Sequence, residues 1–257
     1  MPRLFDSHSH LDVPEFDGDR ADVIARARAV GVGEQLVPAV DYGTWPGLRD
    51  TCAGDPGLFP AYGLHPAYLE RHRPAHVQAL RDWIEREKPL AIGECGLDFF
   101  VEGLDLELQR GYFRDQLELA REFNLPVVVH ARRAVEEVYV TCKRVGGLRG
   151  IVHSFGGSPE QARQLAELGF LLGIGGPVTY ERARRLRRLV AEAPIEWLVL
   201  ETDSPDQPDA GHRGQRNEPA RLVEVLETVA RLRGESPDAV AEATRANARR
   251  LLGLATD

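Results

Sequence analysis

The sequence lacks the long apolar run that a membrane-spanning helix requires. None of its apolar stretches approaches the roughly 18 consecutive residues typical of such a helix. The N-terminus reaches Asp6 and His8 without the apolar region of a secretory signal peptide. We therefore expect a cytoplasmic protein with no membrane partner.

Paired cysteines are also missing. The 257-residue chain has only Cys52, Cys95 and Cys142, which lie far apart. Three separated thiols supply neither a disulfide framework nor a CxxC zinc knuckle. Cys95 follows Glu94 in a predicted strand, where successive side chains point to opposite faces, so we predict a small buried thiol and not a zinc ligand.

An excess of positive charge is the third absence. The chain has 40 acidic and 32 basic residues, of which only Lys88 and Lys143 are lysines, and its formal net charge is −8. This balance excludes a broad basic face of the kind that coats nucleic acid. A polyanionic partner would have to be attracted locally, by metal ions and a few arginines.

What the sequence does contain is a regular alternation of strands and helices. With 43% hydrophobic and 28% charged residues, the composition is that of an ordinary globular protein. Between the β-rich runs, apolar residues recur at helical spacing, as at Val23, Ile24 and Ala27. The eight predicted strands are Arg3–Asp6, Gln35–Val40, Leu58–Tyr62, Leu90–Glu94, Pro126–His130, Gly150–His153, Phe170–Ile174 and Trp197–Glu201.

Eight strand–helix units in about 250 residues favour one α/β domain over residues 1–257, a TIM (β/α)₈ barrel with a parallel sheet and outer helices. An open doubly wound sheet is the alternative. Helix starts are predicted at Ser158-Pro159 and Asn217-Glu218-Pro219. Ser236-Pro237 starts an extra C-terminal helix that ends near Leu252.

Metal-ligand residues stand at the ends of five predicted strands. His8 and His10 project from the same side of the chain after the first strand and could bind one ion. The others are Glu94, His130, His153 and Asp203. Each alone has a structural explanation, such as a satisfied core histidine or an ion-paired carboxylate. Because the C-terminal strand ends of a barrel meet at one rim, their joint occurrence predicts a metal centre.

Six ligands are enough for two divalent ions about 3.5–4 Å apart. We assign His8, His10 and Asp203 to the first ion, His130 and His153 to the second, and Glu94 to both. Neither lysine follows a strand, so a carboxylated lysine bridge is not expected. Glu94 and Asp203 are the predicted catalytic residues, because Asp203 can orient the attacking water or take its proton. Such ligands accept Zn, Mg or Mn.

Substrate-binding candidates lie around this centre. His65 follows the third strand, Arg132 follows His130, and Arg213 and Arg216 belong to a flexible basic loop. Guanidinium groups suit phosphate because they offer paired donors. An exposed loop histidine and solvated surface arginines are the alternatives. His72 and His76 lie in a polar stretch, and we expect no specific role for them.

Taken in order, these residues resemble the signature of TatD-type metal-dependent deoxyribonucleases. The matching stretches are Asp6-Ser-His-Ser-His-Leu-Asp12, Gly63-Leu-His-Pro66, Gly93-Glu-Cys-Gly-Leu-Asp98, His130-Ala-Arg132, His153-Ser-Phe155, Glu201-Thr-Asp-Ser-Pro205 and Arg213-Gly-Gln-Arg-Asn-Glu-Pro219. The resemblance covers essentially the whole chain. It implies a barrel hydrolase of the amidohydrolase-like superfamily that cuts DNA with divalent metals, from the 3′ end in some members. It also implies that the metal residues are the same six and that His65 lies near the substrate.

The sequence departs from the pattern of this family at two places, and both departures affect the expected substrate more than the expected metal binding. Members often carry a tyrosine after the Gly-Leu-Asp motif, where this chain has Phe99-Phe100. An aromatic or apolar pair is common after Pro205, where this chain has Asp206-Gln207.

Three functional hypotheses follow. The first is hydrolysis of DNA phosphodiesters by a monomer, as a 3′-5′ exonuclease on single-stranded or end-accessible DNA. The second is metal-dependent hydrolysis of an ester or amide, for example by a D-aminoacyl-tRNA deacylase. The third is a non-catalytic barrel that binds nucleic acid or a partner protein.

Overall fold

The structure, a computed structural model, describes residues 3–255 and contains eight β-strands in one parallel sheet. The strands are β1 (Leu4–Asp6), β2 (Val32–Pro38), β3 (Leu58–Tyr62), β4 (Ala91–Asp98), β5 (Val127–Arg132), β6 (Gly150–Val152), β7 (Phe170–Ile174) and β8 (Leu198–Leu200). The α-helices are α1 (Arg20–Ala29), α2 (Trp45–Ala53), α3 (Ala75–Glu87), α4 (Leu106–Phe123), α5 (Val135–Val145), α6 (Pro159–Glu167), α7 (Arg184–Glu192), α8 (Leu222–Arg233) and α9 (Pro237–Leu252). Short 3-10 turns join several of them.

The sheet curls into a nearly closed barrel. Each strand pairs in parallel with the next one along the chain, from β1 to β8. Between the first and last strands, Ser7 N donates to Leu200 O at 2.9 Å, and Ser9 and Ser204 form a parallel bridge. These contacts confirm the predicted barrel and exclude the open sheet.

Two hydrophobic cores support the barrel, one inside it and one between its strands and the outer helices. Every strand contributes one side chain to the inner core: Phe5, Leu36, Ala61, Ala91, Val128, Ile151, Leu171 and Val199. Ala248 and Leu252 of α9 pack against this core. The Asn247 amide donates to the carbonyls of Ile195 and Leu198 at the start of β8, so the extra C-terminal helix covers the N-terminal end of the barrel.

Strands β3 and β7 have the predicted bounds, but β4 and β5 are longer than predicted. A register shift between Ile92 and Cys95 lets β4 continue beside β5 as far as Asp98. Gly96 permits the close approach, because it has a φ of +140° and a Cβ there would lie 2.0 Å from the carbonyl oxygen of His130. Glu94 therefore lies inside β4 and not at its end.

Helix starts follow the predicted capping residues. The Ser158 hydroxyl and the Gln161 side chain form a capping box at α6, and the Ser236 side chain caps α9. At Pro219 the chain forms a 3-10 turn before α8 begins at Leu222. In residues 3–255, no helix combines the length and the hydropathy needed to cross a membrane.

Candidate metal centre

The structure brings all six predicted ligands together at the C-terminal end of the barrel, with the Glu94 carboxylate between two groups of them. Glu94 Oε2 lies 3.1 Å from His8 Nε2 and 3.5 Å from His10 Nε2. Glu94 Oε1 lies 3.0 Å from His130 Nδ1 and 2.9 Å from His153 Nε2. This carboxylate can therefore serve two ions at once.

The first group has the dimensions of a metal site. Asp203 Oδ1 completes it, 3.4 Å from His8 Nε2 and 3.7 Å from His10 Nε2. A tetrahedral ion with bonds of about 2.0–2.2 Å holds its ligand atoms about 3.3–3.6 Å apart. The observed spacings bracket that range, so these residues fit a divalent ion.

Hydrogen bonds behind two of the histidines, His10 and His130, decide which of their ring nitrogens faces the centre. His10 Nδ1 donates to Pro38 O at 3.0 Å, and His130 Nε2 donates to Asp98 Oδ2 at 2.8 Å. The lone pairs of His10 Nε2 and His130 Nδ1 are thereby directed inward. His8 Nε2 and His10 Nε2 lie only 3.1 Å apart. Two lone pairs at that distance repel each other unless a proton or a metal cation lies between them.

His65 also reaches this centre, but as a hydrogen-bond donor. Its Nε2 lies 3.2 Å from Glu94 Oε1, and its Nδ1 accepts a hydrogen bond from Ala67 N at 3.0 Å. An accepting Nδ1 leaves the proton of a neutral imidazole on Nε2, which then cannot bind a metal. In this arrangement His65 presents an N–H group to the centre.

Asp203 is held in place by neighbours on two sides. Its backbone N donates to His8 O at 2.8 Å, and its Oδ2 accepts a hydrogen bond from Gln207 Nε2. Gln207 Oε1 in turn accepts from Ser154 Oγ at 2.9 Å. Asp203, Gln207 and Ser154 all have left-handed backbones, with φ of 56°, 48° and 45°. Such conformations are costly for these residue types and often mark functional sites. Gln207, one of the departures noted above, thus orients a predicted ligand.

The electrostatics of the centre require positive charge. Burial disfavours a charged Glu94, yet attraction to His65, His153 and His8 holds the pKa of its carboxyl well below the usual range. Burial also opposes the His153 cation, but Glu94, Asp203 and Glu201 outweigh it and raise its pKa to about 10. Glu94 Oε2 is buried and has no hydrogen-bond donor among residues 3–255. Divalent ions would supply the charge that protons on the histidines otherwise provide.

Three supporting carboxylates were absent from the predicted site. Burial opposes ionisation of Asp98, but its hydrogen bonds with His130, Val101 N and Phe100 N lower its pKa to about 2. Asp98 could have been found from the sequence, because it lies four residues after Glu94 and alternation puts both on one face.

The other two carboxylates are fully buried. Glu201 accepts from Ser154 N, and burial raises its pKa to about 8. Asp6 joins β1 to the segment after β8 by accepting from Thr202 N at 3.0 Å and Thr202 Oγ1 at 2.6 Å. Burial raises the pKa of Asp6 to about 7. The sequence around Asp6 and Glu201 does not indicate these contacts, because they depend on how the segments after β6 and β8 pack.

Above the centre lies an open cavity of about 670 Å³. Its wall includes Arg132 but neither Arg213 nor Arg216. Arg216 pairs with Asp19 at 2.7 Å, so a phosphate would have to compete with that carboxylate.

Two minor predictions have different outcomes. Cys95 is fully buried, as predicted. The expectation for His72 was wrong, because it is buried and its Nε2 donates to His65 O at 2.8 Å, which supports the loop that carries His65.

Comparisons with known proteins agree with this arrangement. A profile of the family described as TatD related DNase matches residues 5–253. The chain is 38% identical to YjjV of Escherichia coli K12, described as an uncharacterized metal-dependent hydrolase, over 94% of each chain. It is 34% identical to TatD of Salmonella typhimurium, named a 3′-5′ ssDNA/RNA exonuclease, over 96% of this chain and 98% of that one. The crystal structure of the E. coli YjjV protein superposes with a TM-score of 0.93 at 36% identity, over 98% of this chain and 99% of that one.

Proposed function

This chain belongs to the family of TatD-related DNases and is a metal-dependent hydrolase, and from that premise we propose that it hydrolyses phosphodiester bonds of DNA. We infer 3′-5′ exonuclease action on single-stranded or end-accessible DNA by a monomer. The observation that carries the proposal is the position of Glu94 between two groups of ligand atoms, an arrangement suited to in-line displacement at phosphorus. The exonuclease name of the Salmonella relative supports the same substrate class.

We propose that two divalent ions, Zn, Mg or Mn, bind this centre. His8, His10, Asp203 and Glu94 would hold the first, and His130, His153 and Glu94 the second. Bound ions of this kind polarise phosphoryl oxygens and acidify water. The donor set of imidazoles and carboxylates does not select among the three metals.

The chain's own groups divide the remaining work. Asp203, oriented by Gln207, can orient the attacking water and accept its proton through Oδ1. His65 can donate its Nε2 proton to a phosphate oxygen. Arg132 in the cavity wall can pair with a phosphate through two N–H groups.

Burial of the centre favours single strands and strand ends. His8 and Glu94 are 0% and 1% exposed, so a substrate must bring its phosphate down into the cavity. A flexible strand can do this, whereas both strands of a closed duplex would meet the rim first.

A second candidate activity has one feature in its favour. Glu15 and Asp206 line the cavity and would repel phosphate, but they would attract the ammonium group of an aminoacyl ester. Hydrolysis of a D-aminoacyl-tRNA by the same centre is therefore the alternative.

A side-by-side assay tests these proposals. The metal-loaded protein is incubated with a 3′-labelled oligonucleotide and with a D-aminoacylated tRNA, each with and without a chelator. Chelator-sensitive loss of the 3′ label is the expected result. Faster deacylation with an intact oligonucleotide would favour the alternative, and no hydrolysis of either by a protein that retains its metal would favour a binding role.

A further inference from the structure

We propose that a row of arginines, which begins at the cavity wall and continues along the rim of the barrel mouth, binds the part of a single-stranded nucleic acid that extends out of the cavity. These arginines and one phenylalanine beside them, here called the basic arc, are Phe100, Arg132, Arg133, Arg182, Arg184 and Arg185. Its members lie at the end of β5 or after β4, β5 and β7, and therefore at the same end of the barrel as the cavity. The inference rests on the proposed function, because the strand on the arc is the one whose end enters the cavity.

The first part of the arc is an exposed aromatic ring with two guanidinium groups. Phe100 is 44% exposed, and the guanidinium carbons of Arg132 and Arg133 lie 3.7 Å and 4.7 Å from its ring centroid. Neither arginine pairs with a carboxylate among residues 3–255. Rings and guanidinium planes both stack on unpaired bases. Since Arg132 also lines the cavity, this part of the arc continues directly from it.

The second part of the arc is the mouth end of α7. Arg182, Arg184 and Arg185 are exposed, and none has a carboxylate partner in the described part of the chain. Glu181 is the sole acidic residue between Tyr180 and Val190. Arg185 donates to Gly156 O in the loop after β6, and Ser154 of that loop lines the cavity. The loop thus joins this part of the arc to the cavity.

The position of these arginines is unfavourable for the helix itself. Arg184 and Arg185 occupy the first turn of α7, where the helix dipole favours acidic residues, and this turn has none. The first turns of α4 and α6 carry Glu107 and Glu160. A local conflict of this kind is expected where a group serves a partner. A polyanionic backbone is the partner that gains from three exposed guanidinium groups.

The decisive variant is Arg182→Gln combined with Arg184→Gln. Binding of a 20-nucleotide and a 3-nucleotide oligo-dT, each blocked by 3′ phosphorothioates, is measured on the metal-loaded protein by fluorescence anisotropy at several salt concentrations. We expect the Kd of the 20-mer to rise on the order of tenfold, and the slope of log K against log salt to fall by about 1.4, since each phosphate contact on a single strand contributes about 0.7. The 3-mer should change much less, because it ends inside the cavity.

The matched control is Arg144→Gln, which removes an exposed arginine near the opposite end of the barrel, in the last turn of α5. It should leave both Kd values and the slope unchanged. Equal behaviour of the double variant and this control would overturn the proposal.

Phe100→Ala tests the single-strand assignment. Loss of one stacking partner should weaken 20-mer binding about 5- to 10-fold and leave duplex binding unchanged. If the double variant weakens duplex binding equally and Phe100→Ala changes neither, the arc binds duplex backbone and the single-strand assignment is wrong.

Arg184→Glu separates binding from stability. An acidic residue in the first turn should keep or raise the melting temperature, whereas 20-mer affinity should fall further than in Arg184→Gln. A lower melting temperature with unchanged affinity would show a structural role and overturn the proposal.

If the wild-type protein binds the 20-mer through the arc but hydrolyses no oligonucleotide, the proposed function fails and the arc stands. If the wild-type protein hydrolyses the oligonucleotide normally and the double variant binds the 20-mer as tightly as wild type, the basic arc is wrong and the proposed function stands.

Discussion

The two sides of the barrel mouth differ in which of their charges are already paired. On the side of β5 to β7, the arginines of the basic arc have no carboxylate partner in residues 3–255. On the side of β1 and β8, Glu15 and Asp206 line the cavity, and we call this pair the acidic side. The nearby Arg216 is paired with Asp19, and its hydrogen bonds, with those of Arg26, lower the pKa of Asp19 to about 2.

This difference shows that net charge and charge placement answer separate questions. A formal charge of −8 excludes a basic coat over the protein, but it does not predict where a polyanion meets attraction. An incoming strand is repelled by the acidic side and attracted by the basic arc. The metal centre lies beneath both sides. Variants of the centre should therefore reduce activity equally on short and long oligonucleotides, whereas variants of the rim should have an effect that depends on oligonucleotide length.

The largest effect should come from Glu94→Gln. Replacing the carboxylate between the two ligand groups should remove metal and reduce kcat about 10³-fold or more on every substrate, short or long, because the lost charge stabilisation is several kcal/mol. Metal content and single-turnover rates measure both. Normal turnover by this variant would contradict the bridging role of Glu94.

The next effect concerns a residue that touches the centre only through a histidine. Asp98→Asn should reduce activity about 10- to 100-fold, because His130 loses the charged acceptor that directs its Nδ1 inward. The loss should again be the same on a 3-mer and a 20-mer. A loss of activity confined to the 20-mer would show that Asp98 acts in strand binding at the rim and not through the metal centre.

A direct comparison of the two sides uses one substitution on each. Arg132→Gln should raise KM for DNA roughly tenfold with kcat little changed, because it removes a guanidinium in the cavity wall. Arg216→Gln should raise KM less than about twofold, since its guanidinium is held by Asp19. Steady-state kinetics on one oligonucleotide suffices. A larger effect from Arg216→Gln than from Arg132→Gln would support the prediction from sequence that Arg216 binds the substrate. It would also show that DNA meets attraction on the side of β1 and β8.

Removing a charge from the acidic side should instead give a small gain. Asp206→Asn removes a charge of the acidic side and should tighten DNA binding about two- to threefold at low salt, with the gain lost at high salt through screening. Asp238→Asn, at the start of α9 and away from the cavity, is the control. If Asp206→Asn weakens DNA binding, the Asp206 carboxylate contributes to binding the substrate and does not repel the DNA. The same variant should slow deacylation if an aminoacyl ester is the true substrate.

Much of the fold and the gathering of the site could be predicted from the sequence. The barrel follows from eight apolar runs with helical segments between them, and the convergence of His8, His130 and His153 follows from strand ends that share one edge. The bounds of β4 could not be predicted, because its extension depends on a register shift and on the close approach of Gly96 to β5.

The sequence by itself determined the strand–helix order, the types of ligand and the faces on which they lie, because alternation and motif spacing act over a few residues. Only the tertiary structure decided which arginines lack a carboxylate partner among the described residues and which imidazole nitrogens face inward. Arg216 meets Asp19 across 197 positions of the chain, and His130 meets Asp98 across 32. Pairings over such separations depend on how whole strands and loops pack, and local sequence carries no record of that packing.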